Sequence, residues 1–300
     1  MQDVIIIGCG PAGLTAAIYL LRSGKKVLLF ECESIGGQIA SSPLVENFPG
    51  FLKISGVELS NNLYEQVVSL GGEIEFEKVV KVTKDKEVIV ENGNVYKAKA
   101  IIIATGAKYK LLGLENEEDY LGNGISFCTT CDAPFYKNKV VAVIGAGSSA
   151  LTNALYLTDF CTKVYLIHRN ENFRGEKYLL EKLKEKDNSE IITSAKVIKY
   201  LGKDSLEGII IEKENIQKEI KLDGLFLSIG HEAQNELLKD LIDMSENNYA
   251  LSNENCTTNI EGVFVAGDIR DKKIRQLTTA VADGTVAALN AEKYIEELEK

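Results

Sequence analysis

The chain has 300 residues, of which 45% are hydrophobic and 26% charged, a composition typical of a globular protein of about two domains. With 34 basic and 44 acidic residues, its formal net charge is -10. This balance argues against a general binder of nucleic acid or anionic membrane, because phosphate contacts need clustered Lys and Arg. The sequence contains no apolar window of the roughly 20 residues that span a bilayer, and no secretory signal precedes the first strand. We therefore expect a cytoplasmic protein without bound nucleic acid or membrane.

The chain begins with a strand, a glycine-rich turn and a helix, the pattern of a dinucleotide-binding fold. The apolar run 4–7 predicts the strand, and residues 14–23 predict the helix. The turn consists of Gly8, Cys9, Gly10, Pro11, Ala12 and Gly13. Its first glycine allows the tight turn, its second lets the backbone approach a pyrophosphate, and its third permits close packing of helix on strand. Unpaired N–H groups at the helix N-terminus are then available to the phosphates.

An acidic residue follows the second predicted strand, residues 26–30, at the expected distance. It is Glu31, 23 residues after Gly8. A carboxylate at this place can accept hydrogen bonds from both hydroxyls of an adenosine ribose. The first half of the chain therefore predicts a site for FAD or NAD.

Two of the six cysteines, Cys128 and Cys131, form a Cys-x-x-Cys pair. In a reducing compartment such a pair indicates redox or metal chemistry. A structural zinc site usually takes four thiolate or imidazole ligands in two close pairs, whereas His168 and His231 lie far from this pair in the sequence. Redox chemistry is favoured, and no metal is expected. The remaining cysteines are interpreted as packing residues or inert thiols: Cys9, Cys32, Cys161 and Cys256.

The strand-turn-helix pattern occurs a second time, from residue 140 to residue 167. Its turn carries Gly145, Gly147 and Ala150 in the same spacing. At the position that corresponds to Glu31 stands His168, followed by Arg169 and, slightly later, Arg174. Cationic groups here accommodate a ribose 2′-phosphate, so the second half predicts an NADP site. The alternative interpretation is that both arginines are solvated surface charges.

Further segments, taken in chain order, make the interpretation more specific. They are Gly36-Gly37-Gln38, Val45-Glu46-Asn47-Phe48-Pro49-Gly50, Ala104-Thr105-Gly106 after an isoleucine strand, Cys128-Thr129-Thr130-Cys131-Asp132, Gly267-Asp268 after the run 262–266, and Arg275-Gln276. Over nearly the whole chain, this combination closely resembles the low-molecular-weight bacterial thioredoxin reductases.

The resemblance implies an α/β protein of two Rossmann-like dinucleotide-binding domains of the three-layer ββα type, the second inserted into the first. We predict an FAD domain from residues 1–112 and 244–300. The inserted pyridine-nucleotide domain, with the cysteine pair, would comprise residues 113–243. The resemblance also implies a homodimer.

The resemblance assigns roles to several residues. Asp268 would bind the ribityl or pyrophosphate part of FAD, Arg275 and Gln276 would lie near the flavin ring, and Asn47 would contact the edge of the isoalloxazine. The implied flavin site also includes Gly36, Gly37, Gln38, Ala104, Thr105, Gly106 and Gly267.

The implied reaction is the reduction of thioredoxin disulfide. Two electrons would pass from reduced FAD to the Cys128–Cys131 disulfide, and a thiolate would then attack the partner through a mixed disulfide. Asp132 resembles the acid/base carboxylate of the family. Its alternative role is an N-cap for the following turn, and both roles are compatible.

The electron donor is predicted to be NADPH, although two positions depart from the family pattern. Family members that use NADPH have His-Arg-Arg where this chain has His168-Arg169-Asn170, and many have Glu-Glu where it has Thr152-Asn153. Some related thioredoxin reductases take electrons from ferredoxin instead, and this alternative stays open. The net charge of -10 disfavours it, because ferredoxins are usually acidic and like charges are not steered together.

Two other functions remain as alternatives. A flavin dithiol oxidase acting on small-molecule thiols can share this scaffold. A non-catalytic flavoprotein is disfavoured by the intact cysteine pair beside Asp132.

Overall fold

The computed structural model describes residues 1–42 and 44–300, without the side chains of residues 231 and 232. It divides into two compact units: unit 1 comprises Met1–Lys108 and Glu232–Lys300, and unit 2 comprises Tyr109–His231. The predicted domain boundaries were 112/113 and 243/244. The chain returns to unit 1 earlier than residue 244 because Leu238, Leu241 and Ile242 are buried in a core of that unit.

The secondary structure of the described residues combines strands and helices. The strands are, in chain order, β1 (Gln2–Ile7), β2 (Val27–Phe30), β3 (Glu73–Glu75), β4 (Val79–Val82), β5 (Glu87–Val90), β6 (Val95–Ile103), β7 (Ala107–Tyr109), β8 (Ile125–Ser126), β9 (Val140–Ile144), β10 (Lys163–Ile167), β11 (Ser189–Ile192), β12 (Ala195–Gly202), β13 (Leu206–Lys213), β14 (Ile216–Lys221), β15 (Gly224–Leu227), β16 (His231–Ala233) and β17 (Val263–Val265). The α-helices are α1 (Pro11–Arg22), α2 (Gly56–Ser69), α3 (Thr129–Asp132), α4 (Ser148–Thr158), α5 (Lys177–Lys184) and α6 (Leu277–Leu298). Short 3-10 helices cover Gly37–Ser41, Glu118–Tyr120, Ala133–Tyr136 and Gly267–Ile269.

Unit 1 is built in three layers. Its central sheet contains the parallel strands β3, β2, β1, β6 and β17, and β4 and β5 extend β6 as an antiparallel ribbon. Side chains of β1 alternate between the two faces, as a strand requires. Val4 and Ile6 belong to the core that includes residues of α1 and α6, whereas Ile5 and Ile7 belong to the core that includes residues of β4 and β5.

Unit 2 repeats this arrangement. The parallel strands β11, β10, β9, β15 and β8 form one sheet, and β12, β13 and β14 form an antiparallel sheet. The predicted α/β class with parallel sheets is therefore confirmed. Within the described residues, no helix is long and apolar enough to cross a membrane.

Candidate active site

The glycine turn of unit 1 connects β1 to α1, and its glycines have different surroundings. A Cβ at Gly8, where φ is +104°, would lie 2.4 Å from the carbonyl oxygen of Ala104, and a Cβ at Gly13 would lie 1.9 Å from the carbonyl oxygen of Gly8. Gly10 is the N-cap of α1, and a Cβ there would meet no atom within 4 Å. The fold itself thus requires Gly8 and Gly13, whereas the space beside Gly10 is open to a ligand. Pro11 and Ala12 form the first turn of α1.

Glu31 lies directly after β2, where its carboxylate reaches back to the glycine turn. Oε2 accepts the backbone N–H of Cys9 at 2.8 Å, and Oε1 accepts the N–H groups of Cys32 and Glu33, each at 2.8 Å. These three bonds fix the carboxylate beside the turn, and its role towards a ribose stays a prediction.

Two other predicted segments converge on the same turn. Gly36 donates its N–H to Cys9 O at 2.8 Å, and a Cβ at Gly37 would lie 3.5 Å from the Cα of Gly10. Ala104 donates its N–H to Ile7 O at 2.8 Å, which puts the end of β6 beside the end of β1. In the first of these segments, Gln38 is exposed in the 3-10 helix. In the second, Thr105 donates its hydroxyl to Gln234 O, and Gly106 O accepts the N–H of Gln234.

The turn after β17 packs against α1. A Cβ at Gly267 would lie 2.9 Å from the Cβ of Ala12, so Asp268 follows the strand close to the N-terminus of that helix. Arg275 lies with its guanidinium carbon 4.1 Å from the ring centre of Tyr249 and donates from Nη2 to Arg270 O at 3.2 Å.

A charged cluster supports this turn from α6. The carboxylate of Asp283 accepts the N–H of Gly267 at 3.1 Å, forms an ion pair with Arg270, and receives Lys272 Nζ at 3.0 Å. Lys272 Nζ also lies 3.3 Å from Asp268 Oδ1. The cluster thus links the carboxylate of Asp268 to the helix behind it.

Asn47 and Gln276 lie in neighbouring parts of unit 1. Asn47 is exposed in a loop closed by the bridge between Val45 and Ile54. Gln276 caps α6, and Leu277 and Phe48 pack on the same small core as Val45. The structure therefore brings Asn47 and Gln276, two of the three predicted flavin-ring residues, to one region.

The residues of unit 1 fit FAD. Asp268 Oδ1 is buried and takes part in no hydrogen bond of good geometry with any described residue, although Lys272 is near. A buried acceptor of this kind is stabilised by a donor such as a ligand hydroxyl. Together with the open space beside Gly10, it provides a place for a ribityl chain and a pyrophosphate.

The glycine turn of unit 2, between β9 and α4, repeats the features of the first turn. A Cβ at Gly145 would lie 2.5 Å from Ser228 O and 2.7 Å from the Cβ of Ala150. Gly147 is the N-cap of α4, and a Cβ there would again meet no atom within 4 Å. The open position is therefore the second glycine of both turns.

His168 follows β10 and is buried, with its ring centre 5.4 Å from that of Phe173. Its Nε2 takes part in no hydrogen bond with a described residue. Burial lowers the pKa of His168, and the nearby Arg174 and Arg169 lower it further, against a backbone hydrogen bond with Asn172 that raises it. The environment of His168 therefore favours the neutral imidazole, and no described residue forms a hydrogen bond with its Nε2.

Arg169 and Arg174 are both exposed, and neither forms an ion pair within the part of the chain that the structure describes. Glu171, which lies between them in sequence, pairs with neither. Asn170 contributes its carbonyl to the loop by accepting the N–H of Ser194 at 3.1 Å. Nearby, Asn153 on α4 donates its side-chain amide to Ser228 Oγ at 2.8 Å.

Cys128 and Cys131 form a disulfide in unit 2, with Cα atoms 5.2 Å apart. Cys128 is the N-cap of the short helix α3, and its carbonyl accepts the N–H groups of Cys131 and Asp132. Thr129, between the cysteines, is buried, and its Oγ1 takes part in no hydrogen bond with a described residue.

Asp132 is part of this redox segment and has a shifted pKa. Burial raises the pKa of its carboxyl above the usual range, and a hydrogen bond from Ser126 opposes that rise. The Ser126 hydroxyl donates to Asp132 Oδ2 at 2.6 Å and accepts the N–H of Cys128 at 3.1 Å. A half-buried carboxyl with a raised pKa, next to a disulfide, is suited to take part in proton transfer.

The other four cysteines are free thiols. Cys9, Cys161 and Cys256 are buried, and burial is the main cause that raises the pKa of each, to about 11 for Cys161 and Cys256. Cys32 is exposed, and its pKa is also raised, by partial burial and by Glu31 and Glu33. Thiols with raised pKa values are poor nucleophiles. Among the described residues, no group of three His, Cys, Asp or Glu side chains could hold a metal ion.

The sequence analysis missed Ser126 and Asp283. Ser126 stands two residues before Cys128, and Asp283 lies within the helix after Arg275-Gln276. Neither belongs to a motif with its own spacing rule: Asp283 acts through a tertiary contact, and Ser126 acts on neighbours two and six residues along the chain. The one sequence signal for Ser126 is a polar residue at the end of a buried strand.

Unit 2 combines a disulfide with a dinucleotide-type turn, and unit 1 has a second such turn, a combination that defines the class of a disulfide oxidoreductase. Residues 2–284 match the family described as pyridine nucleotide-disulphide oxidoreductase. The chain belongs to this family.

Similar proteins cover the whole chain. The thioredoxin reductase of Bacillus subtilis (strain 168) is 37% identical over 305 residues, covering 100% of this chain and 96% of the relative. A Clostridium pasteurianum protein, described as a 34.2 kDa protein in rubredoxin operon, is 43% identical over 298 residues, covering 98% and 97%. The crystal structure of thioredoxin reductase from Streptococcus pyogenes MGAS5005 matches with a TM-score of 0.94, at 36% identity and 99% coverage of each chain.

Proposed function

We propose that this chain is a thioredoxin-disulfide reductase that passes electrons from NADPH through FAD and the Cys128–Cys131 dithiol to thioredoxin. The observation that carries the proposal is the disulfide at the start of α3, with the raised-pKa carboxyl of Asp132 one residue further on. The similarity of the whole chain to a protein named thioredoxin reductase supports the choice of substrate.

FAD, when bound, would supply two-electron transfer between the donor and the disulfide. Unit 1 would hold its pyrophosphate at the open position beside Gly10 and its adenosine ribose at Glu31. Asp268, kept next to α1 by Asp283 and Lys272, would accept a hydroxyl of the ribityl chain.

The dithiol would reduce the partner by thiol–disulfide exchange. A thiolate of the pair attacks one sulfur of the partner disulfide, and the second cysteine then displaces the partner from the mixed disulfide. The N–H groups at the start of α3 and the carboxyl of Asp132 provide what this exchange needs, namely stabilisation of a thiolate and a proton acceptor.

NADPH as donor is supported by unit 2. Its second glycine, Gly147, leaves open space at the N-terminus of α4, and the exposed Arg169 and Arg174 are available for a 2′-phosphate. Ferredoxin is the second candidate donor. Two departures from the family pattern favour it. Asn170 stands in place of a second arginine, and Asn153 stands in place of a glutamate, with its side-chain amide already bound to Ser228.

The proposal extends to a reaction in the cytoplasm, performed by a homodimer. Thioredoxin is its macromolecular partner.

Anaerobic titration of the flavin-loaded protein tests the donor. Loss of the flavin absorbance near stoichiometric NADPH is expected, and Arg169→Ala should raise the NADPH concentration required by about tenfold or more. A flavin that stays oxidised with NADPH and NADH but is reduced by reduced ferredoxin would replace NADPH by the second candidate.

The dithiol is tested separately, with Cys131→Ser. This variant should keep flavin reduction by the donor and lose thioredoxin reduction. Cys32→Ser, which changes an exposed thiol outside the redox pair, is the matched control and should keep both steps. Thioredoxin reduction by Cys131→Ser at the wild-type rate would refute the proposed route.

A further inference from the structure

We propose that Ser126 is a positioning residue of the redox site, whose hydroxyl holds the carboxylate of Asp132 and the backbone N–H of Cys128 in one hydrogen-bonded group. The inference rests on the proposed function, because it assigns to Asp132 the proton transfer of the dithiol reaction. Ser126 ends β8 and is 5% exposed, so water does not compete effectively for its hydroxyl.

The direction of the two hydrogen bonds follows from the donors available. A hydroxyl has one proton and can accept with its lone pairs. Because the N–H of Cys128 can only donate, the oxygen of Ser126 accepts it at 3.1 Å. The hydroxyl proton is then directed at Asp132 Oδ2, 2.6 Å away. Ser126 is therefore a donor to Asp132, and this arrangement favours the ionised carboxylate.

Two opposing effects set the proton affinity of Asp132. Burial raises its pKa, and the bond from Ser126 lowers it, with burial the larger effect. Without the hydroxyl, burial acts alone, and the carboxyl titrates at higher pH. The same substitution removes the acceptor for the N–H of Cys128 and so loosens the start of α3.

Few other titratable groups act on Asp132. Tyr136, on the following 3-10 helix, has its pKa raised to about 12 by burial first and then by Asp132, Asp223 and Cys161, so it is neutral at working pH. Lys139 Nζ lies 5.4 Å from the Tyr136 ring centre. Helix α4, which packs against α3, carries no acidic residue and no Lys, Arg or His. Ser126 is thus the hydrogen-bond donor through which the pKa of Asp132 can be changed.

The proton balance gives Ser126 its place in the reaction. When the disulfide takes up two electrons, which the flavin of the proposed function supplies, the S–S bond breaks and two thiolates form. Protonated Asp132 gives its proton to one of them, so that an S–H bond forms as the O–H bond breaks. The carboxylate left behind is the form to which Ser126 donates.

The test measures how the alkylation rate of the dithiol depends on pH. In the flavin-loaded protein reduced anaerobically, the rate of alkylation of Cys128 and Cys131 by iodoacetamide is read from the mass of their peptide between about pH 5 and about pH 10. Peptide analysis separates this rate from that of the exposed Cys32. A plot of this rate against pH should show an inflection where Asp132 titrates. That inflection is identified by its absence in Asp132→Asn.

In Ser126→Ala, the Asp132 inflection should move up by about one pH unit, the expected effect of losing one hydrogen bond to a charged group. Ser126→Thr keeps a hydroxyl and should stay near the wild-type profile. Ser189→Ala is the matched control, because it removes another partly buried hydroxyl of unit 2, one that donates to Leu183 O at 2.5 Å. Ser189→Ala should leave the Asp132 inflection at its wild-type pH.

Ser126→Gly removes the same hydroxyl and leaves a smaller residue. It is used in place of Ser126→Ala if the alanine variant does not fold. An inflection of the pH–rate curve that disappears in Asp132→Asn, but is unmoved in whichever of Ser126→Ala and Ser126→Gly folds, overturns the role of Ser126 alone. An inflection that persists in Asp132→Asn overturns the acid/base role of Asp132, and the inference about Ser126 with it. Loss of thioredoxin reduction in Cys131→Ser is independent of both results, so failure of the proposed function is recognised separately.

Discussion

The carboxylate of Asp283 accepts the backbone N–H of Gly267 at 3.1 Å and thereby ties α6 to the turn that carries Asp268. The same carboxylate pairs with Arg270 and Lys272, and Arg270 also donates to Ser252 Oγ at 2.8 Å and to Asn253 O at 2.7 Å. Asp283 therefore contacts the turn at Gly267 and the side chains of Arg270 and Lys272. Through Arg270 it is also linked to the loop at residues 252–253. Its side chain is 13% exposed, so these contacts are weakly screened by solvent.

Replacement of Asp283 by Asn should weaken FAD binding. The variant keeps the size of the side chain but leaves Arg270 and Lys272 without one of their negative partners. We expect the dissociation constant of FAD, measured by flavin fluorescence on the apoprotein, to rise about tenfold, and the urea stability of the apoprotein to fall by about 1–3 kcal/mol. Asp271→Asn, which changes an exposed aspartate of the same loop, is the control and should alter neither quantity. Equal effects of both variants would show that net charge, and not the Asp283 contacts, is responsible.

The open glycines separate binding from folding. Gly10→Ala adds a methyl group that meets no protein atom, so the stability of the apoprotein should stay within about 1 kcal/mol, while FAD binding weakens by about tenfold or more. Gly147→Ala should weaken NADPH binding and leave FAD binding unchanged, so each variant is the control for the other.

Gly13→Ala should behave in the opposite way. Its methyl group would lie 1.9 Å from the carbonyl oxygen of Gly8, and we expect a loss of about 3 kcal/mol before any ligand is added. A Gly10→Ala protein that bound FAD normally would show that the pyrophosphate does not lie at this turn.

A buried acid stabilises the segment where the chain enters unit 2. Glu117, 3% exposed, accepts the N–H groups of Leu112 at 2.9 Å and Gly113 at 2.7 Å, and the Tyr200 hydroxyl at 2.6 Å. Tyr200→Phe removes a hydrogen bond to a charged group and should destabilise this region by about 1–3 kcal/mol. Hydrogen exchange of the amides of residues 112–114 measures the loss locally. Tyr120→Phe, which removes a bond to the neutral carbonyl of Gly202, should cost less, about 0.5–1.5 kcal/mol.

The same tyrosine gives a pH dependence. Burial first, and then the hydrogen bond and charge of Glu117, raise the pKa of Tyr200 far above its ordinary value of about 10. A raised pKa means that the unfolded state loses the proton first, so this contribution is complete below about pH 10 and declines as the pH rises above it. Above about pH 10, the protection of these amides should fall more steeply in the wild type than in Tyr200→Phe. If protection fell equally with pH in both proteins, ionisation of Tyr200 would not be linked to the stability of this region.

The sequence predicted those parts of the molecule that depend on local signals. Both glycine turns, their flanking strands and the cysteine pair are specified by residues within a few positions of one another. Asp283 was missed because the packing of α6 brings it to Gly267, and Ser126 was missed because no spacing rule links a serine to the cysteine pair, although its partners are only two and six residues away. The end of the insertion was predicted near residue 243 because residues 240–248 resemble a linker, whereas Leu238, Leu241 and Ile242 bury three large side chains in unit 1. Which core an apolar residue joins depends on the whole fold, and periodicity does not contain that information.

The chain leaves unit 1 through β7 and returns through β16, and these two strands pair with each other. The points of exit and re-entry are therefore neighbours, although more than a hundred residues separate them in sequence. In the order of the chain, unit 2 occupies the place of a hairpin loop between residues 108 and 232. A short turn from residue 108 to residue 232 would leave every strand of the large parallel sheet of unit 1 in the chain.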